Sequence, residues 1–222
     1  MIRRLLLCLL LMLLGGAVDA ADHRPLNDAI LRLIGSYPLD GRYPYGWVRG
    51  VDTDGVSQPL TWQGTTLGLP DAAQSVHCSG ITFEVYIQAL SQAIPEGGPT
   101  GAEVLALKES WYIREEGSVV DSTAEVQTGP VQALVSRGLG LEVAELADLQ
   151  PGDFIQFWRN NGNGHSAVFI DHTRYRDGTV RGLVFWSAQG SSEGLGYRRV
   201  SIGSGEFQIS PGNLFGVRAL VP

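Results

Sequence analysis

Between Pro25 and Ile34 the apolar residues Leu26, Ile30, Leu31 and Ile34 recur at helical spacing, and Gly35 closes the segment. That pattern predicts a short amphipathic helix with one buried face. From Ser36 to Gln74 the periodicity is lost among Gly, Pro, Asp and the aromatics Tyr37, Tyr43, Tyr45, Trp47 and Trp62. This stretch reads as irregular structure with short extended pieces that wrap one side of the domain. After Cys78 a stripe of Ile81, Val85, Ala89 and Ala93 repeats every four residues until Pro95 and Gly97-Gly98 interrupt it. It predicts a helix of about four turns with Cys78 at its N-terminus. Two further helical pieces are expected at Ala102 to Glu116 and Pro130 to Arg137, the second closed by Gly138.

The final third changes period. Asp153 to Trp158, His165 to Arg174, Val180 to Ala188, Tyr197 to Ile202 and Leu214 to Leu220 are short β-branched and aromatic runs between turns. Asp177-Gly178 marks a hairpin between the second and third of these runs. Helices first and antiparallel strands afterwards define an α+β arrangement.

Composition narrows the classes. Hydrophobic residues make up 44% of the 222 residues and charged ones 18%, as in an ordinary globular domain. With a formal net charge of -7 and Lys108 as its only lysine, the chain lacks the cationic patches that nucleic acid requires. Arg3-Arg4, an apolar run from Leu5 to Leu14 and small residues at Val18 and Ala20 predict a signal peptide over residues 1–20, cleaved near Ala20. The run is too short to span a bilayer, so no stable membrane anchor is expected and the mature chain is placed outside the cytoplasm, secreted or periplasmic. Residues 21–75 then form the N-terminal helix and wrapping segment. Residues 76–222 form the main domain, with a helical insertion at about 101–140.

Removal of the leader takes Cys8 with it and leaves Cys78 as a lone thiol, which cannot form an internal disulfide. A helix N-terminus carries partial positive charge and free N–H groups, which depress a thiol pKa and can hold an oxyanion. Cys78 is therefore the candidate nucleophile, with Ser79, Gly80 and His77 around it as oxyanion or substrate contacts. His165 opens a strand directly after the glycine-flanked loop Gly162-Asn163-Gly164 and is the candidate base, its ring facing a cleft. Turning the hairpin about Asp177-Gly178 brings residues 189 to 190 opposite His165. Gln189, or Ser187 on the same face, would orient the imidazole. The Tyr- and Trp-rich stretch is a candidate surface for glycan or peptide. No His/Cys/Asp cluster has metal-ligand spacing, and neither a metal nor a cofactor is expected.

His77-Cys78-Ser79-Gly80, Leu149-Gln150-Pro151-Gly152-Asp153-Phe154 and Gly164-His165-Ser166-Ala167-Val168-Phe169-Ile170 together resemble the NlpC-type papain-fold cysteine peptidases of bacterial cell walls. The resemblance covers roughly Val76 to Ala188. It implies a papain-like core, a Cys-bearing helix packed on an antiparallel sheet, and a thiol hydrolase that cleaves amide bonds in peptidoglycan stem peptides through an acyl-enzyme. The chain departs from the family at His77, where an Asp associated with the stem-peptide amine is usual, and in the long gap from Cys78 to His165. The alternative is a catalytically silent module of the cell envelope that binds glycan or peptide on the same fold. The expected partner is a peptide or peptidoglycan substrate, and a monomer is expected.

Overall fold

The computed structural model describes residues 24–48, 51–112 and 128–222; the expected leader and part of the helical insertion lie outside them. Among the described residues four helices, α1 (Asn27–Ser36), α2 (Cys78–Ala93), α3 (Gly101–Trp111) and α4 (Pro130–Val135), precede most of the strands. β1 (Leu60–Trp62) and β2 (Thr65–Gly68) form a small hairpin within the wrapping segment. A six-stranded antiparallel sheet follows, made of β3 (Gly140–Val143), β4 (Phe154–Arg159), β5 (Gly164–Arg174), β6 (Val180–Gln189), β7 (Gly194–Ser201) and β8 (Ile209–Ala219). Its order is β3-β8-β4-β5-β6-β7, and every pairing in it is antiparallel. The α+β expectation holds at this level, and the Cys-bearing helix packs on β5 and β6.

Both faces of the sheet are buried. Phe154, Val168, Trp186 and Val217 meet α2 and its neighbours, where Tyr86, Trp111 and Phe154 pack ring against ring. Ile155, Phe157, Ala167, Phe169, Leu183 and Phe185 build a second core on the other face. The alternation follows from the two-residue period of a strand. It explains why β4 to β6 read as near-continuous apolar runs. α2 is buried around almost its whole circumference, which accounts for apolar residues beyond the four-residue stripe.

Two buried carboxylates tie the wrapping pieces to this frame. Glu84 of α2 is fully buried and accepts from the Ser57 N–H (2.6 Å), the Ser57 hydroxyl (2.6 Å) and the Tyr37 hydroxyl (2.7 Å). Burial and the Glu84 charge push the Tyr37 hydroxyl far above its ordinary pKa, so it stays a donor. Asp153, in the turn before β4, closes its own turn through the Gln150 N–H (2.8 Å) and receives both Arg218 (2.9 and 3.0 Å) and Asn27 (2.8 Å). The Pro-Gly-Asp turn thus joins α1, β4 and β8. Removing one partner of such a group strands the others. Asp153→Ala should lower unfolding stability by about 3 kcal/mol, read as an earlier midpoint in urea denaturation.

Candidate active site

α2 begins at Cys78 because its preceding residue caps it. The Gly80 N–H donates to His77 Nδ1 (3.2 Å), and the His77 Nε2–H donates to the Thr53 carbonyl (3.0 Å). These two bonds fix a neutral tautomer, and burial pushes the His77 pKa down. Both ring nitrogens are occupied, so His77 is no base, although it borders the cavity described below. Gly80 is also not an oxyanion donor, because its N–H is spent on His77. Its lack of a side chain is needed elsewhere, since a Cβ there would lie 2.2 Å from the Asp54 carbonyl oxygen and 2.4 Å from that of Gly55. The Ile81 N–H is taken by the His77 carbonyl (3.0 Å). The first-turn N–H groups left for an oxyanion are those of Cys78 and Ser79.

The loop against which α2 starts is itself held from the far side. Asp54 pairs with Lys108, whose ammonium also donates to the Leu67 carbonyl, and the Tyr112 hydroxyl donates to the Asp54 carbonyl (2.7 Å). The only lysine of the chain is thus buried in a structural pair.

The β5–β6 ladder runs from Arg174↔Val180 to Val168↔Trp186 and stops there, while β6 remains paired with β7 as far as Gln189↔Gly194. The strands part at Ser166. Its carbonyl finds another partner, the Ser187 hydroxyl, which donates to it (2.7 Å). Ser187 is therefore committed to the sheet and does not orient His165. The Ser166 hydroxyl donates to Gln156 Oε1 (2.6 Å), on the α2 face of the sheet. Ser79 is buried and its Oγ lies 4.0 Å from the sulfur.

Tyr45, Trp47, Cys78, Arg159, His165 and Gln189 all border one open cavity of about 850 Å³. Within it the structure places His165 differently from the sequence expectation. His165 shares strand parity with Ala167 and Phe169, so its ring belongs to the second core rather than to the α2 face. Phe157 and Phe185 flank it, each with a centroid distance of 5.5 Å. No hydrogen bond joins His165 to Cys78. The residue is only 5% exposed, and its Nε2 is buried without a partner. Gln189 Nε2 is likewise buried without a partner. Continued past Val168↔Trp186, the β5–β6 register brings residue 165 opposite 189, as the hairpin arithmetic anticipated.

The electrostatics correct another expectation. Protein atoms desolvate the thiolate, and this pushes the Cys78 pKa up; the Ser166 and Ser79 donors offset only part of it. Burial, with the Arg159 charge adding to it, pushes His165 down to about 3. The resting pair is a neutral thiol and a neutral imidazole. The sequence had no means of finding Arg159, Gln156 or Ser166, which are joined to Cys78 only through the sheet. Among the described residues no group of His, Cys, Asp or Glu could hold a metal ion, and no helix is long and apolar enough to cross a membrane. No protein-family model, curated protein or solved structure matches the chain.

Gly80→Ala should cost about 3 kcal/mol of stability, because the Cβ meets rigid backbone; the shift in urea midpoint reads it. A depressed imidazole takes its proton in the unfolded chain first. Stability should therefore fall as pH drops below about 6.5, the ordinary His value. For His165 the loss should continue until about 3, where the folded side chain also protonates. Thermal unfolding midpoints from pH 7 to pH 4 should decline, and less steeply in His165→Gln.

Proposed function

We propose that the chain is a secreted thiol hydrolase of the papain-like, NlpC-like kind that cleaves amide bonds, its substrate being peptidoglycan stem peptides. The observation that carries the reading is the Cys78 sulfur at a helix N-terminus, on the wall of a cavity that His165 and Gln189 also border. A buried structural cysteine would not need the cavity.

The two unpartnered nitrogens support a role for Gln189. Turning its amide by 180° exchanges Nε2 for Oε1, an acceptor suited to the His165 Nε2–H. Nδ1 is then the imidazole atom left for the thiol, which it serves once the ring turns from Phe157 and Phe185 into the shared cavity. Catalytic hydrogen bonds of this kind are commonly long before substrate is bound. With both groups neutral at rest, His165 takes the thiol proton as sulfur attacks the amide carbonyl. The N–H groups of Cys78 and Ser79 hold the oxyanion, and the imidazolium returns its proton to the departing amine. Water activated by the same imidazole then releases the acid and frees the thiol.

The missing Cys78–His165 hydrogen bond and the raised thiol pKa favour one other reading, a silent module that binds peptide or glycan in the same cavity. Turnover separates the two. On purified stem tetrapeptides, Cys78→Ala should abolish hydrolysis without loss of fold. His165→Ala should lower kcat/KM by about 10²–10⁴-fold. Hydrolysis that survives in Cys78→Ala would end the thiol mechanism, and saturable binding without hydrolysis by the unaltered chain would establish the silent module. Because the thiol pKa is raised, the rate of Cys78 alkylation by iodoacetamide should still be climbing with pH above about 8.5, the ordinary thiol value.

A further inference from the structure

The steps of acyl transfer leave Arg159 without a task, yet the fold fixes it firmly. It ends β4 at an irregularity in the β4–β8 register, between Phe157↔Leu214 and Arg159↔Ile209. Its backbone closes the following loop, with its N–H donating to the Asn163 carbonyl (3.0 Å) and its carbonyl accepting from the Gly162 N–H (2.8 Å). Its guanidinium carbon lies 5.1 Å from the centroid of Phe157, the ring that also flanks His165. The cation is therefore carried on the same wall as the imidazole.

Among the described residues no carboxylate pairs with Arg159. Asp54 and Asp153 are committed to Lys108 and Arg218. Asp52, which borders the same cavity, acts on His77. Its ionisable neighbours are the Cys78 thiol and the Tyr45 hydroxyl, both held neutral by burial, and the surrounding protein partly desolvates it. A half-buried guanidinium without a counter-ion costs free energy that an incoming anion would restore. A planar fork of N–H donors, with one face resting on an aromatic ring, suits a carboxylate approaching in its own plane.

We propose that Arg159 is a specificity-determining residue that receives a free carboxylate of the substrate beside the bond attacked by Cys78. The substrates are then acidic peptides rather than neutral or amidated ones. The word substrate rests on the hydrolytic reading above; the anion site itself does not.

Two alkylating reagents test the anion site without any turnover. Iodoacetate and iodoacetamide both transfer a carbon to the Cys78 thiolate with loss of iodide, and they differ in carrying a carboxylate or a neutral amide. The ratio of the iodoacetate to the iodoacetamide rate should fall about tenfold in Arg159→Gln, the size of one charge-assisted contact. Arg159→Lys should keep part of the preference. An unchanged ratio in Arg159→Gln would overturn the proposal. So would an equal slowing with both reagents, since Arg159 would then only stabilise the thiolate. On stem tetrapeptides whose D-glutamate α-carboxyl is free or amidated, the unaltered chain should favour the free acid through KM, and Arg159→Gln should lose that preference. Equal use of the two peptides by the unaltered chain would count against the carboxylate assignment. Failure to cleave either one, with the reagent ratio still dependent on Arg159, would sink the hydrolytic reading and keep the anion site.

Discussion

The site depends on one constraint, the packing of α2 against β5 and β6, whose ladder ends at Val168↔Trp186. An antiparallel ladder that ends inside a protein must hand its free backbone groups to other partners. Here the Ser166 carbonyl goes to the Ser187 hydroxyl, and the Ser166 N–H is among the donors that favour the Cys78 thiolate. Past that point β6 stays paired with β7 as far as Gln189, which borders the same cavity as Cys78. The helix can come this close only because Gly80 lets its first turn touch the backbone of residues 54 and 55.

The same crowding sets the chemistry. A helix N-terminus favours a thiolate, whereas desolvation favours the thiol, and at Cys78 desolvation is the larger effect. His165 is subject to the same balance in the opposite sense, with burial and the Arg159 charge both opposing its protonation. The resting site is therefore uncharged at its reacting pair and positively charged at Arg159. On the proposed hydrolytic reading, an anion bound there would ease the pressure on an imidazole cation formed during attack, and recognition and proton transfer would share one wall.

The second layer of support is polar and buried. Glu84 gathers donors from the wrapping segment, and Asp153 gathers them from α1, the preceding turn and β8. Each joins pieces distant in sequence through a fully buried carboxylate, an arrangement that is sensitive to the loss of any one partner. The Pro-Gly-Asp motif read from the sequence as a lead into a strand is, in three dimensions, a junction.

Much of the frame was legible in the chain. The four-residue stripe after Cys78 marked α2, Asp177-Gly178 marked the β5–β6 hairpin, and counting from that turn placed Gln189 opposite His165, because a tight turn fixes strand register. The short strands β1 to β3 were not located, since three or four residues carry too little periodicity to stand out. What tertiary structure alone decided was direction and partnership. Strand parity turned His165 toward Phe157 and Phe185; packing spent the Gly80 N–H and both His77 nitrogens on the start of α2; and burial, outweighing the helix N-terminus, kept the Cys78 thiol protonated. The residues and their order are properties of the sequence. Which atoms are left free for chemistry depends on how neighbouring elements satisfy or exclude them, and only the folded chain fixes that.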